Sequence, residues 1–334
     1  MPKLRLMRNW NLGWMGAACA ALAVLTGCGG TAVSPPQPAR VAFLSDRTGD
    51  LDIYVVNFPG GSPVNISNHS AGDDGHSWSP TGNQLAFVSN RTGDWELYTV
   101  NVNGTGLVQR TTDTLPKGRT AWSPAGNLIA YECGNDIYVY NLTTNTTTNL
   151  TGGNGNNIHP SWSPSGAQIA FASDRAGSWD IWVMDANGSN VTQLTNDPAP
   201  EQRPVWSPNG AQIAFERGSD VWVMNANGSS PINLTSGLST GGRWPTWSPN
   251  SQKVAFESNN DIYTVNADGS GLTQITTTGD CFGPHWSKDY GGNSYIVFIR
   301  IAGGAEVYVM TPTGTGMVNI SNHPAVDEGP FWAP

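Results

Sequence analysis

The stretch Trp162-Ser163-Pro164-Ser165-Gly166, Ile169-Ala170-Phe171, Ser173-Asp174-Arg175-Ala176-Gly177, Asp180-Ile181-Trp182 decides the fold, because each of its landmarks returns along the chain. Trp-Ser-Pro recurs at Trp78, Trp122, Trp206 and Trp247, with weaker copies at Trp286-Ser287-Lys288 and Trp332-Ala333-Pro334. Successive tryptophans are 44, 40, 44, 41, 39 and 46 residues apart. The Ile-Ala-Phe landmark has seven copies, at Val41-Ala42-Phe43, Leu85-Ala86-Phe87, Ile129-Ala130-Tyr131, Ile169-Ala170-Phe171, Ile213-Ala214-Phe215, Val254-Ala255-Phe256 and Ile296-Val297-Phe298. An acid two residues before an aromatic also recurs seven times: Asp52/Tyr54, Glu96/Tyr98, Asp136/Tyr138, Asp180/Trp182, Asp220/Trp222, Asp261/Tyr263 and Glu306/Tyr308.

Each unit of about 42 residues therefore holds four short β-type runs, A to D, and no stretch shows a 3.6-residue apolar period. Strand A carries the Trp, B the Ile-Ala-Phe run, C the acid and aromatic, and D ends in Leu or Ile. Ser-Pro-x-Gly suits a tight A-to-B turn. Asn103-Gly104, Asn187-Gly188, Asn227-Gly228 and Asp268-Gly269 are C-to-D hairpin signals. The first unit opens at its B strand (Val41), and a lone A strand (Trp332) ends the series. The expectation is an all-β, seven-bladed propeller with four antiparallel strands per blade, closed by the C-terminal strand joining the N-terminal blade. The blade closed by Trp332 is numbered 1, and Trp78 to Trp286 mark blades 2 to 7. The seven repeated tryptophans are read as packing between blades.

The units resemble the WD-repeat-like repeats of the TolB propeller family, through Trp-Ser-Pro-x-Gly, Ile-Ala-Phe, Ser-x-Arg-x-Gly-x-x-Asp (as from Ser45 and Ser173) and Asp-Ile-Tyr. The resemblance covers residues 40–334 and implies a propeller. TolB itself pairs six blades with an amino-terminal α/β domain and is periplasmic, whereas this sequence has seven blades and a short tether.

Of 334 residues, 12% are charged and the net formal charge is −9. Lys3, Arg5 and Arg8 precede an apolar run from Leu12 to Leu25 that is too short to span a ~30 Å hydrocarbon core. The run ends in Leu25-Thr26-Gly27-Cys28, which resembles the lipobox of bacterial lipoproteins. Residues 1–27 are thus expected to be a signal peptide, Cys28 the lipidated residue, 28–39 a tether and 40–334 the propeller. Without those three cations, 13 Lys and Arg face 25 acids, a formal charge of −12. That balance excludes a basic nucleic-acid interface, and membrane contact is expected through the lipid anchor alone. The expected location is the cell envelope: the outer membrane facing the periplasm in a Gram-negative cell, the cell surface otherwise.

Chemistry is sparse. Gly237-Leu238-Ser239-Thr240-Gly241 matches a nucleophile-elbow pattern, but Gly242-Arg243-Trp244-Pro245 leads straight into an A strand where a helix is required. His76, His159 and His285 stand two, three and one residues before their tryptophans, offsets that do not converge on a metal. Oligogalacturonate lyases, propellers of similar repeats, hold a metal with such histidines. Asp46, Asp50 and Asp52 lack a full calcium ligand set. Cys133 and Cys281 fall too far apart around the ring for a disulfide. The strand C acids read as structural hydrogen-bond acceptors.

The D-to-A loops rim one face of the channel. Asp327, Glu328, Asp73, Asp74 and Asp280 gather on blades 7, 1 and 2; Lys117, Arg119, Glu201, Arg203 and Arg243 stand on blades 3, 5 and 6. A divided mouth of this kind steers a partner, and local bridging such as Glu201 with Arg203 is the competing reading. With His159, the residues Lys117, Arg119, Arg203, Arg243, Asp73, Asp74, Asp327 and Glu328 are the candidate partner-binding set. The expectation is a monomeric, non-catalytic module that binds an envelope protein or peptide without a cofactor. The alternative is a carbohydrate-binding protein, or a polysaccharide lyase or hydrolase, holding an acidic oligosaccharide on Arg119, Arg203 and Arg243.

Overall fold

The computed structural model describes residues 39–334. The signal, Cys28 and nearly all of the tether lie outside the described residues. Seven four-stranded antiparallel sheets follow one another around a ring. In blade 1 the last strand, Asp327–Trp332, pairs with Ala39–Ser45, with Val41 opposite Trp332 and Ser45 opposite Asp327. The chain's two described ends thus form one sheet, which closes the ring as the repeat spacing implied. The inner strands of blades 2 to 7 are Asp73–Trp78, Lys117–Trp122, Asn157–Trp162, Glu201–Trp206, Arg243–Trp247 and Cys281–Trp286.

The core lies between blades. Trp78 of blade 2 packs with Ala42, Leu44 and Phe331 of blade 1, and Trp162 of blade 4 with Ala121, Ala130 and Ile137 of blade 3. Three indoles also donate to the preceding inner strand: Trp78 to the Phe331 carbonyl (3.2 Å), Trp162 to Ala121 (2.9 Å) and Trp247 to Val205 (3.0 Å). The second-strand aromatics, from Phe43 to Phe298, are fully buried. At the hairpin of blade 5, Gly228 has φ +85°, and a Cβ there would sit 2.6 Å from the Leu194 carbonyl oxygen of blade 4. Glycine is therefore required both for the turn and for the contact between blades.

Two repeated polar devices hold the blades. Six of the seven strand C acids accept hydrogen bonds from the loop after strand D, as the recurrence suggested; Asp180 instead takes Gln193 Nε2 and Ser178 Oγ, both at 3.0 Å. Asp52 takes them from Asn65 Nδ2 (2.8 Å), Ser67 Oγ (3.1 Å) and the His69 N–H (3.1 Å). Asp261 does the same with Thr276 Oγ1 (2.7 Å), Gln274 Nε2 (3.1 Å) and the Thr278 N–H (3.1 Å). The Ser-x-Arg segments form the second device. Arg47 donates to Ser45 Oγ (2.8 Å), pairs with Asp327 (3.0 Å) and lies 4.4 Å from the Tyr54 ring centroid. Arg91 repeats this with Ser89, Asp73 and Tyr98, and Arg175 with Ser173, Asn157 and Trp182.

Candidate ligand site in the central channel

Every inner strand loses register with its neighbour just before the Trp. The break encloses Gly75, Arg119, His159, Arg203, Trp244, Gly283 and Gly329, always three residues ahead of that Trp. In five blades the next residue is proline (Pro160, Pro204, Pro245, Pro284, Pro330), which has no N–H to give the ladder. Except for Arg119 these residues adopt positive φ, including His159 (60°), Arg203 (53°) and Trp244 (60°). Left-handed backbone under three large side chains costs about 1–3 kcal/mol each, and such strain clusters at functional sites.

The bulge positions, one on each inner strand, make a lopsided ring. Blades 3 to 6 present Arg119, His159, Arg203 and Trp244, while blades 7, 1 and 2 present glycine. Arg203 is close enough to act on the charge of Arg119 although a whole blade separates them in sequence. The Arg203 guanidinium pairs with Glu216 and lies 4.2 Å from the Trp244 ring centroid. Its backbone N–H donates to His159 Nδ1 at 3.4 Å.

Three glutamates complete the cluster. Glu132, Glu216 and Glu257 directly follow the second-strand aromatic, where other blades have Leu44, Val88, Ala172 and Ile299. Each accepts the N–H of the next blade's bulged residue: His159 (2.8 Å), Trp244 (2.7 Å) and Gly283 (3.2 Å). Sequence reasoning missed them and Trp244; the readable signal was a charge at a position that is apolar in four of seven repeats.

Burial shifts the titration of Arg119, His159 and Glu257. It lowers the Arg119 pKa to about 9; Glu132 and other acids oppose the shift, and Arg203 adds to it. Burial, then Arg119 and Arg203, drives His159 well below its ordinary value, so the ring is neutral. Burial raises Glu257 to about 7 against the opposing pull of Arg243.

The nine sequence candidates separate. Arg119, His159 and Arg203 meet in the channel, with Asp74 close enough to act on Arg119. Arg243 stands at the mouth, largely exposed, with Nε 3.7 Å from Glu257. Glu328 precedes the bulge of blade 1 and is half-buried. Lys117, Asp73 and Asp327 are committed to the scaffold. Lys117 is bound by Asp113 (2.6 Å) and Glu96 (3.1 Å), Asp73 by Arg91 and Asp327 by Arg47. The expected division of charge at the mouth is to that extent neutralised within the blades. Nor does Glu201 pair with Arg203: the bulge turns Arg203 away, so Glu201 takes Arg217 and Arg203 takes Glu216.

Elsewhere, Ser239 of the Gly-x-Ser-x-Gly stretch is exposed on a loop that enters an inner strand. Asp46 accepts the Val326 N–H (2.8 Å). Cys133 and Cys281 are buried free thiols. Among the described residues no three His, Cys, Asp or Glu side chains gather to hold a metal ion, and no helix is long and apolar enough to cross a membrane.

Among solved structures, TolB from Acinetobacter baumannii is 21% identical, with a TM-score of 0.59 over 90% of this chain and 68% of that one. A putative TolB from Agrobacterium tumefaciens is 18% identical (TM-score 0.54), covering 69% of this chain and 94% of that one. An oligogalacturonate lyase in complex with manganese is 12% identical (TM-score 0.66), covering 86% of each chain. At these identities the likeness is one of fold. No curated protein sequence matches significantly. The profile of the TolB beta propeller domain matches residues 18–136 and 117–289, more than half of the sequence, and the chain belongs to that family.

Proposed function

We propose that the chain is an exported, lipid-anchored envelope protein whose propeller binds a protein or peptide at its channel mouth, without catalysis. The observation that carries this reading is the lopsided ring. Strained, charged and aromatic side chains crowd blades 3 to 6, and glycines leave blades 7, 1 and 2 bare. A Cβ at Gly283 would meet nothing within 4 Å, so the wall is open at blade 7. The carboxylates of the cluster hold backbone N–H groups and Arg203, a positioning role; none is placed against a nucleophile. Family membership supports a binding module, because TolB-type propellers engage other proteins. The lipobox-like Leu25-Thr26-Gly27-Cys28 supports the anchor.

The test is affinity capture from envelope extract. The full chain would be compared with an Arg119→Met/Arg243→Ala variant, which alters the channel and mouth while leaving the Arg203–Glu216 pair whole. A protein retained by the first and lost by the second supports the proposal; equal retention sinks the channel mouth as the binding surface.

A further inference from the structure

We propose that Arg119 is the receptor for a single carboxylate carried into the channel by the bound peptide or protein, an inference that rests on the binding-module reading above. Its Nη1 and Nη2 are both buried and meet no hydrogen-bond acceptor. A buried cation left in that condition is rare, because its donors have lost water and gained nothing in return.

The acids around Arg119 are already committed. Glu132 Oε1 holds the His159 N–H, Asp74 Oδ1 accepts the Gly75 N–H, and Glu216 holds Arg203 and the Trp244 N–H. They act on Arg119 through space without filling its donors.

The chemistry of the missing acceptor follows from the donors. Two unsatisfied terminal nitrogens on one planar guanidinium make the fork that a carboxylate grips with both oxygens. Charge argues for one negative charge. Arg119 and Arg203 face Glu132, Glu216 and Asp74, so the cluster already carries one net negative charge; a carboxylate takes it to two and a phosphate dianion to three, and the smaller addition is the one favoured. The approach to Arg119 is narrow on the blade 2 side. Gly75, at φ +62°, lies so close to blade 3 that a Cβ there would be 3.1 Å from Arg119 Cα. Across the ring the space at Gly283 is open. The carboxylate therefore belongs to a narrow group, a chain terminus or an Asp or Glu tip, that sheds its water on entry.

The experiment uses the full chain and three probes: N-acetyl-trialanine with a free carboxylate, the same peptide as its carboxamide, and inorganic phosphate. Melting temperature is followed against probe concentration. The free acid should raise it dose-dependently, and the amide and phosphate should not. Arg119→Met should abolish the response while melting at or above the parent temperature, because it removes a cation without a partner. Arg119→Lys keeps the charge but lacks the fork, so the titration midpoint should weaken by at least about tenfold. No response to the acid, an equal response to amide or phosphate, a response that survives Arg119→Met, or a lowered melting temperature in that variant would each overturn the proposal. Equal capture of one protein partner by the parent and Arg119→Met, with no acid response, would overturn the carboxylate alone. Absence of any captured partner would overturn the binding module instead.

Discussion

The carboxylate of Glu216 in blade 5 accepts the backbone N–H of Trp244 in blade 6 at 2.7 Å. One side chain thereby fixes the bulge of the next blade and, through its other oxygen, neutralises Arg203. Glu216→Ala would leave a buried guanidinium and an N–H without acceptors. The expected loss is about 3–5 kcal/mol, read from urea or thermal unfolding. Glu216→Gln, which still accepts the N–H, should lose less.

The strand C acids give a cleaner stability test, because they lie away from the channel. Asp261→Ala removes an acceptor shared by Thr276, Gln274 and the Thr278 N–H and should cost about 2–3 kcal/mol. Asp94→Ala, at an exposed turn, should leave the melting temperature unchanged.

A third expectation concerns pH. Burial raises the folded pKa of Glu257 to about 7, above its unfolded value of about 4.5. Between those values the folded state holds a proton that the unfolded state has lost. The stabilising contribution is therefore full below pH ~4.5 and declines as pH rises to ~7. Burial lowers the buried histidines His76 and His285, to about 4 and about 3, so their contribution runs the other way, lost as pH falls from ~6.5 through those values. The difference between wild type and Glu257→Gln isolates the first effect. The variant should melt higher than wild type at pH 8, with the gap closing toward pH 5.

The scaffold pairs predict a separation between stability and binding. Asp73→Asn weakens the clamp on Arg91 and should lower the melting temperature while leaving partner capture intact. Loss of capture in a folded Asp73→Asn protein would return that residue to the binding surface.

Anchoring is tested independently. Cys28→Ser should move the protein from the membrane fraction to the soluble fraction and abolish labelling by a fatty-acid analogue. Unchanged labelling would contradict the lipobox reading.

The architecture was legible because a propeller writes the same constraints seven times. Each Trp, each Ile-Ala-Phe run and each strand C acid meets the same surroundings in its own blade, so recurrence alone exposed the fold. The channel obeys the opposite logic, since its meaning lies in where the repeats differ. Arg119, His159 and Arg203 were found as polar residues near a mouth. Glu132, Glu216 and Glu257 were passed over because their contacts are to the following blade's backbone. Asp327 and Asp73 read as mouth charges in the sequence because their partners Arg47 and Arg91 lie 280 and 18 residues away. Arg203 escaped its neighbour Glu201 through a bulge that no local pattern announced.

The most direct test of the account is quantitative capture from envelope extract by three forms of the full chain: the parent, Arg119→Met/Arg243→Ala, and Leu107→Ser, which alters an exposed apolar residue after the C-to-D turn of blade 2. The account predicts one protein held by the parent and by Leu107→Ser but lost from the channel variant. Equal retention by all three, or loss only from Leu107→Ser, would contradict it.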